Sequence, residues 1–134
     1  MGDLNPEIHK KSLEIMRLED AVQLAMSQAA KASGNFRHGA VIIAGKQVLA
    51  LGRNHDRKST GMYSIHAEMD ALWHLAKEHK KNQTLKIVVV RVTKSGKLAH
   101  SRPCHLCMQA LRQYNVKTMV YSTIDPAALQ IEPV

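Results

Sequence analysis

Cysteine is scarce in this chain of 134 residues: there are two, Cys104 and Cys107, three positions apart. That excludes a disulfide framework, and a pair at this spacing points instead to a metal site or a redox couple. Aromatic residues are also few, 4% of the chain, with one Phe, one Trp and three Tyr. Little is therefore available for the stacking platforms that hold successive bases of a single strand. No apolar run approaches the roughly 20 residues of a membrane span. Met1 to Lys11 is polar and lacks the apolar core of a secretion signal. Gly2 does not open a myristoylation motif, because Pro6 stands where Ser or Thr is required. No membrane contact is expected, and the expected location is cytoplasmic. Repeats, low-complexity tracts and linkers are missing too.

Acidic residues are the minority charge, 11 Asp plus Glu against 19 Lys plus Arg, for a net charge of +8. With a pI of about 9.7, this favours an anionic partner such as a nucleotide or a nucleic acid. The basic residues are scattered rather than gathered into one run, so a solvated, soluble surface explains them equally well. An apolar fraction of 45% suffices for one packed core, and a single domain over residues 1–134 is expected.

What the chain does have is a set of metal-binding side chains. His66, Cys104 and Cys107 offer one nitrogen and two sulfurs, which suits Zn²⁺ and leaves a fourth tetrahedral position open. An open position is what a catalytic zinc needs. Glu68, two residues after the histidine, is well placed to face a water there, as a proton carrier rather than a ligand.

Ser12 to about Ala32 carries Leu13, Met16, Ala21, Leu24, Ala25 and Ala29 at helical spacings, with Gly34 and Asn35 ending the helix. Residues 40–44 and 47–51 are β-rich runs joined by Gly45-Lys46, a tight antiparallel hairpin. Residues 52–63 are polar and turn-forming, a surface loop. His66 to about His79 returns to helical spacing through Met69, Leu72, Trp73 and Ala76, with Ser64 as an N-cap, the histidine in the first turn and Trp73 in the core. Leu85 to Val92 is a continuous apolar run, the mark of a central strand covered on both faces. Ser95-Gly96 makes a turn. Pro103 opens a helix from about Cys104 to Tyr114 with Leu106, Ala110 and Leu111 facing inward. Val116 to Tyr121 is a further strand, and residues 128–131 supply a short last one. This order places helices on both faces of a mixed sheet. Both ligand segments begin helices, whose positive ends would converge and favour thiolates.

His66-Ala67-Glu68 with Pro103-Cys104-His105-Leu106-Cys107 matches H-x-E…P-C-x-x-C, the signature of zinc nucleobase deaminases. From Gly39 to Ser122 the chain resembles the cytidine deaminase-like superfamily. The resemblance implies a three-layer α/β/α fold with a mixed four- or five-stranded sheet. It implies Zn²⁺ on His66, Cys104 and Cys107, which activates water for attack at C4 of cytosine or C6 of adenine, with Glu68 passing the proton to the ring nitrogen and the leaving amine. It further implies that Asn54 holds a substrate sugar or base, that Gly39 lets the main chain approach the base, and that Ala67 offers its N–H to a base carbonyl. A homo-oligomer, dimer or tetramer, is implied as well.

Within the superfamily, His66 in place of a cysteine sets the chain apart from the small cytidine deaminases with three cysteine ligands. His66-Ala67-Glu68-Met69 is closer to deoxycytidylate and tRNA adenosine deaminases, although the tail beyond Ser122 is short for either group. Arg102 stands where the tRNA enzymes usually have Glu. Arg102, Arg53 or Arg57 is a candidate for a substrate phosphate, and Phe36 or Tyr63 for stacking on a base. His55, His74, His79, His100 and His105 have no partner at ligand spacing and read as surface or supporting residues. The leading expectation is hydrolytic deamination of a cytosine nucleoside or nucleotide with release of ammonia. The alternatives are a nucleic-acid deaminase, acting on tRNA adenosine or single-stranded DNA cytosine, and an inactive zinc-binding interaction module.

Overall fold

The computed structural model describes residues 17–32, 36–56, 64–75, 83–124 and 129–134. Helix α1, Leu18–Lys31, puts Ala21, Ala25 and Ala29 one above another on its buried side. It stops at Ala32, whose backbone is already extended. Residues 12–16 of the expected helix, and Gly34 and Asn35, lie outside the described residues.

Strands β1 (Arg37–Ala44) and β2 (Gln47–Arg53) form the expected hairpin, with Ala44 opposite Gln47. Gly45 takes the left-handed conformation that the turn needs, φ 59°. Strand β2 runs two residues beyond the expected boundary. The next residues pair as a small ribbon, β3 (His55–Asp56) with β4 (Ser64–Ile65), where only a loop was expected. Ser64 therefore belongs to a strand and is not the N-cap of helix α2, Ala67–Leu75. His66 immediately precedes that helix, and its carbonyl accepts the Asp70 N–H at 3.0 Å.

Strand β5 (Leu85–Val92) is central, as its apolar run requires, with β1 antiparallel on one side and β7 (Val116–Ser122) parallel on the other. The parallel pair needs a crossover, which helix α3, His105–Gln113, supplies. Two-residue β6 (Leu98–Ala99) pairs with the end of β5 after the turn at Gly96. Strand β8 (Leu129–Pro133) adds antiparallel to β7 and completes the order β2-β1-β5-β7-β8. The sheet is mixed and five-stranded apart from β6, with α1 on one face and α2 and α3 on the other, as expected.

Strand alternation sends Val41, Val88 and Val90 against α1 and Ala40, Ile42, Ile87 and Val89 against α2 and α3. Two expectations about the helices fail. Trp73 is 70% exposed and Leu106 is 73% exposed. On α2 the buried row is Ala67-Ala71-Leu75, so Met69 and Trp73 share the outer side; on α3 Cys107, Met108 and Leu111 face the sheet. Small residues seat α2, which large-apolar spacing does not reveal. No helix among the described residues is long and apolar enough to cross a membrane.

The contact that seats α2 is at Gly52, where an added Cβ would lie 2.3 Å from the Ala67 carbonyl oxygen and 2.4 Å from the Ala71 nitrogen. Gly52→Ala must push α2 off the sheet, and it is expected to cost about 3 kcal/mol or more. Gly45→Ala, in open space, is expected to cost only about 1–2 kcal/mol for the left-handed backbone. Urea midpoints of the two variants test this, and equal losses would contradict the close seating of α2.

Candidate active site

The ends of three elements meet where β1 and β2 leave the hairpin. Asn54 ties them together: its Oδ1 accepts the His38 N–H at 2.7 Å and its Nδ2 donates to the Phe36 carbonyl at 2.7 Å. Asp70 does the same for α2, accepting the Arg53 N–H at 3.0 Å and the His55 Nε2–H at 3.1 Å. A buried carboxylate with two donors fixes where the helix starts, and so fixes His66 and Glu68.

Helix α3 is set by a second polar cluster. The Ser101 hydroxyl donates to the Val89 carbonyl at 2.8 Å and accepts the Ser122 N–H at 3.0 Å. The Ser122 hydroxyl donates to the Ala99 carbonyl at 2.6 Å. These bonds tie the segment before Pro103 to the ends of β5 and β7. Cys104 then caps α3 with an extended backbone, and its carbonyl accepts the Met108 N–H at 2.9 Å.

Two helix starts thus converge, and residues 38 and 41 positions apart come together. His66 Nδ1 lies 3.8 Å from Cys104 Sγ and 3.4 Å from Cys107 Sγ, and the three donor atoms all lie within 4.8 Å of one another. Zinc bonds of about 2.05 Å to nitrogen and 2.3 Å to sulfur at a tetrahedral angle require N-to-S separations of roughly 3.6 Å. The donor set therefore fits zinc in both chemistry and spacing. Among the described residues it is the group that can hold a metal.

Glu68 is buried, 5% exposed, and burial raises its carboxyl above the usual range; its own N–H, His66 and Cys107 partly offset this. Burial also raises the Cys107 thiol, with Glu68 and Cys104 adding to the effect. The raised Cys107 thiol favours its proton, which a bound divalent ion would displace.

Beside the cluster is a cavity of about 290 Å³, with His66, Glu68 and Cys104 in its wall, near the lower end of small-molecule sites. Asn54, Ala67 and Arg102 also line it. Arg102 does so with its charge engaged: Nε donates to Glu132 Oε2 at 2.9 Å and Nη2 approaches Oε1 at 3.4 Å. The Tyr121 hydroxyl donates to the same carboxylate. Gly39 is not in the wall. It faces α1, where a Cβ would lie 1.9 Å from the Ala25 carbonyl oxygen, so helix packing rather than a ligand accounts for this glycine. Arg53 is exposed and is not among the lining residues; Arg57, Tyr63 and His79 lie outside the described residues.

Phe36, His38 and Ser101 complete the wall. His38 and Ser101 are additions to the expected set, and Asp70 is a third residue that sequence reasoning missed. His38 directly precedes Gly39, and no spacing or motif marks it apart from that neighbour. Ser101 and Asp70 give no signal beyond their nearness to the motif. His55, His74, His100 and His105 do not join the donor set; His74 Nδ1–H instead donates to the Leu51 carbonyl at 2.7 Å.

Comparison with known proteins places this geometry. A family profile described as the cytidine and deoxycytidylate deaminase zinc-binding region matches residues 15–123. A search of curated protein sequences returns no match. Among solved structures, cytidine deaminase from Burkholderia pseudomallei superposes with a TM-score of 0.68 at 22% identity, over 88% of this chain and 93% of that one. Cytidine deaminase from Mycobacterium leprae gives 0.58 at 20% identity, over 87% and 93%. The dCMP deaminase of cyanophage S-TIM5, in complex with dCMP and dUMP, gives 0.53 at 21%, over 88% and 82%.

Two titrations oppose each other in the metal-free protein. Glu68, raised from 4.5, contributes stability that is present below that pH and lost as pH rises through its native value. His38, lowered from 6.5 to about 4 by burial, Arg91 and His66, contributes stability present above 6.5 and lost as pH falls toward 4. Glu68→Gln should remove the first slope and His38→Gln the second. Urea denaturation of the three proteins between about pH 4 and 7 should give difference curves of opposite sign, and parallel curves for wild type and His38→Gln would contradict the lowered imidazole.

Proposed function

The chain belongs to the cytidine and deoxycytidylate deaminase zinc-binding family, and on that premise we propose that it hydrolyses the amino group of a cytosine nucleoside or nucleotide, releasing ammonia. The observation that carries this reading is the buried carboxyl of Glu68 in the wall of the cavity, beside one nitrogen and two sulfur donors. His66, Cys104 and Cys107 would hold zinc, which when bound supplies the Lewis acidity that makes water nucleophilic at neutral pH.

The remaining work falls to the chain itself. Glu68, held in low-dielectric surroundings with its pKa raised, can take a proton from water and return it. It would deliver that proton to the ring nitrogen next to the attacked carbon, then assist the amine to leave. Water supplies the new carbonyl oxygen, the C–N bond breaks, and ammonia departs. Ala67 opens α2, where main-chain N–H groups have no partner within the helix, and it lines the cavity where a base carbonyl would lie. Asn54 holds the wall through the main chain of Phe36 and His38.

The cyanophage structure with dCMP and dUMP supports a pyrimidine nucleotide as one arm of this reading. Against a phosphate stands Arg102, whose guanidinium is paired with Glu132, so an anionic substrate would have to compete with a carboxylate. The net charge of +8 favours one second reading, the same chemistry on a base within a polynucleotide, whose binding would fall steeply as salt rises.

Ammonia release by the zinc-loaded protein tests the proposal, with cytosine, cytidine, deoxycytidine, their monophosphates, adenosine, tRNA and single-stranded DNA as substrates. A cytosine nucleoside or nucleotide should turn over, and Glu68→Ala should lower kcat by about 10²- to 10⁴-fold with zinc retained. Cys104→Ala should lose the metal. Turnover that survives Glu68→Ala would overturn the mechanism.

A further inference from the structure

His38 is the wall residue with no role so far. It is the second residue of β1, and strand alternation turns it to the face opposite Gly39, toward α2 and α3. Its main chain is held on both sides: N–H by Asn54 Oδ1 at 2.7 Å and carbonyl by the Asn54 N–H at 3.3 Å. The next residue, Gly39, is pressed against α1. This position along the strand is therefore fixed more firmly than a strand end would be.

Its surroundings are also built. Across the sheet His38 is in register with Arg91. The Arg91 guanidinium lies 4.6 Å from the ring centroid of Phe36, a second wall residue, and its Nε is buried without a hydrogen-bond partner. The other polar side chains of the wall are engaged. Asn54 bonds to main chain at both ends of its amide, Ser101 donates to Val89, and Arg102 is paired with Glu132. Among the described residues, no hydrogen bond to the His38 ring is present, and its electrostatic neighbours are Arg91 and His66. Apart from Glu68 and the donor set, this leaves the imidazole as the wall's uncommitted polar group.

We propose that His38 is a substrate-binding residue, whose imidazole hydrogen-bonds the polar edge of the amino-heterocycle in the cavity and helps to select which base reacts. The inference rests on the reading of the cavity as a base pocket. Burial, with Arg91 and His66 beside it, lowers the ring's pKa to about 4 and keeps it neutral. A neutral imidazole has one donor and one acceptor nitrogen, and a cytosine edge presents an amino donor and ring and carbonyl acceptors. The two can pair without any charge on the protein side, which suits a neutral base. Phe36, backed by Arg91, offers a face for the same ring.

The test uses zinc-loaded wild type, His38→Ala and His38→Asn, the last retaining a donor and an acceptor. His38→Ala should lower kcat/KM for the preferred base at least tenfold, chiefly through KM, with unchanged zinc content. His38→Asn should recover part of the loss. A second readout is independent of turnover: in zinc-loaded Glu68→Ala labelled with ¹⁵N at histidine rings, cytidine should shift one ring signal that His38→Ala removes. Unchanged kcat/KM in His38→Ala, with wild type active, overturns the role of His38 and leaves deamination standing. A shifted His38 signal in a protein that releases no ammonia supports the binding role and overturns the hydrolytic reading. Loss of zinc or of stability in His38→Ala, with no shifted ring signal, overturns the proposal in favour of a structural role. If cytidine, deoxycytidine, dCMP and adenosine neither react nor shift the signal, both readings fall.

Discussion

Two helices must begin on the same face of one sheet, a few ångströms apart, or this site does not exist. His66 precedes α2 and Cys104 caps α3, and the cluster of three donors forms only because both helix starts are fixed against the sheet. Small residues make that possible for α2: Gly52 of β2 lets the main chain at Ala67 and Ala71 come into contact with the strand. Buried polar bonds then set the angle and register, Asp70 for α2 and the Ser101–Ser122 pair for the segment leading to α3. Packing brings the segments together, and hydrogen bonds decide where each one stops.

The same closeness sets the chemistry. Burial pushes up both the Glu68 carboxyl and the Cys107 thiol; Glu68 raises the thiol further, while a hydrogen bond with the thiol partly offsets the rise at the carboxyl. A site built this way is costly for the metal-free fold, since groups that would ionise in water are held among apolar neighbours. A divalent cation relieves that cost by replacing protons with a charge the thiolates can share. The same burial raises the carboxyl that the proposed mechanism uses to carry a proton.

Much of this was readable in the sequence because it depends on local rules. Gly45-Lys46 between two β-rich runs allows little but a hairpin, and the apolar run of residues 85–92 belongs at the centre of a sheet. His66, Glu68, Cys104 and Cys107 are rare residue types at informative spacings. Where the reading failed, tertiary packing chose among equally apolar candidates. Trp73 and Leu106 keep helical spacing yet face outward, because alanines and Cys107 occupy the close contacts. The missing side chain of Gly39 makes room for α1 rather than for a base, and the neighbour that does face the cavity, His38, has no signature of its own. Arg102 stands at the cavity as expected, but its partner Glu132 is 30 residues away and no local pattern connects them.

The proposed function rests on a zinc ion that would take two sulfur ligands and one imidazole and leave one position for water. X-ray absorption at the zinc edge on the purified, metal-loaded protein reads that environment directly. Two sulfurs at about 2.3 Å and two lighter atoms at about 2.0–2.1 Å, with one zinc per chain, are the expected shell. A shell without sulfur, or one closed by sulfurs from neighbouring chains, would contradict an open site made by His66, Cys104 and Cys107.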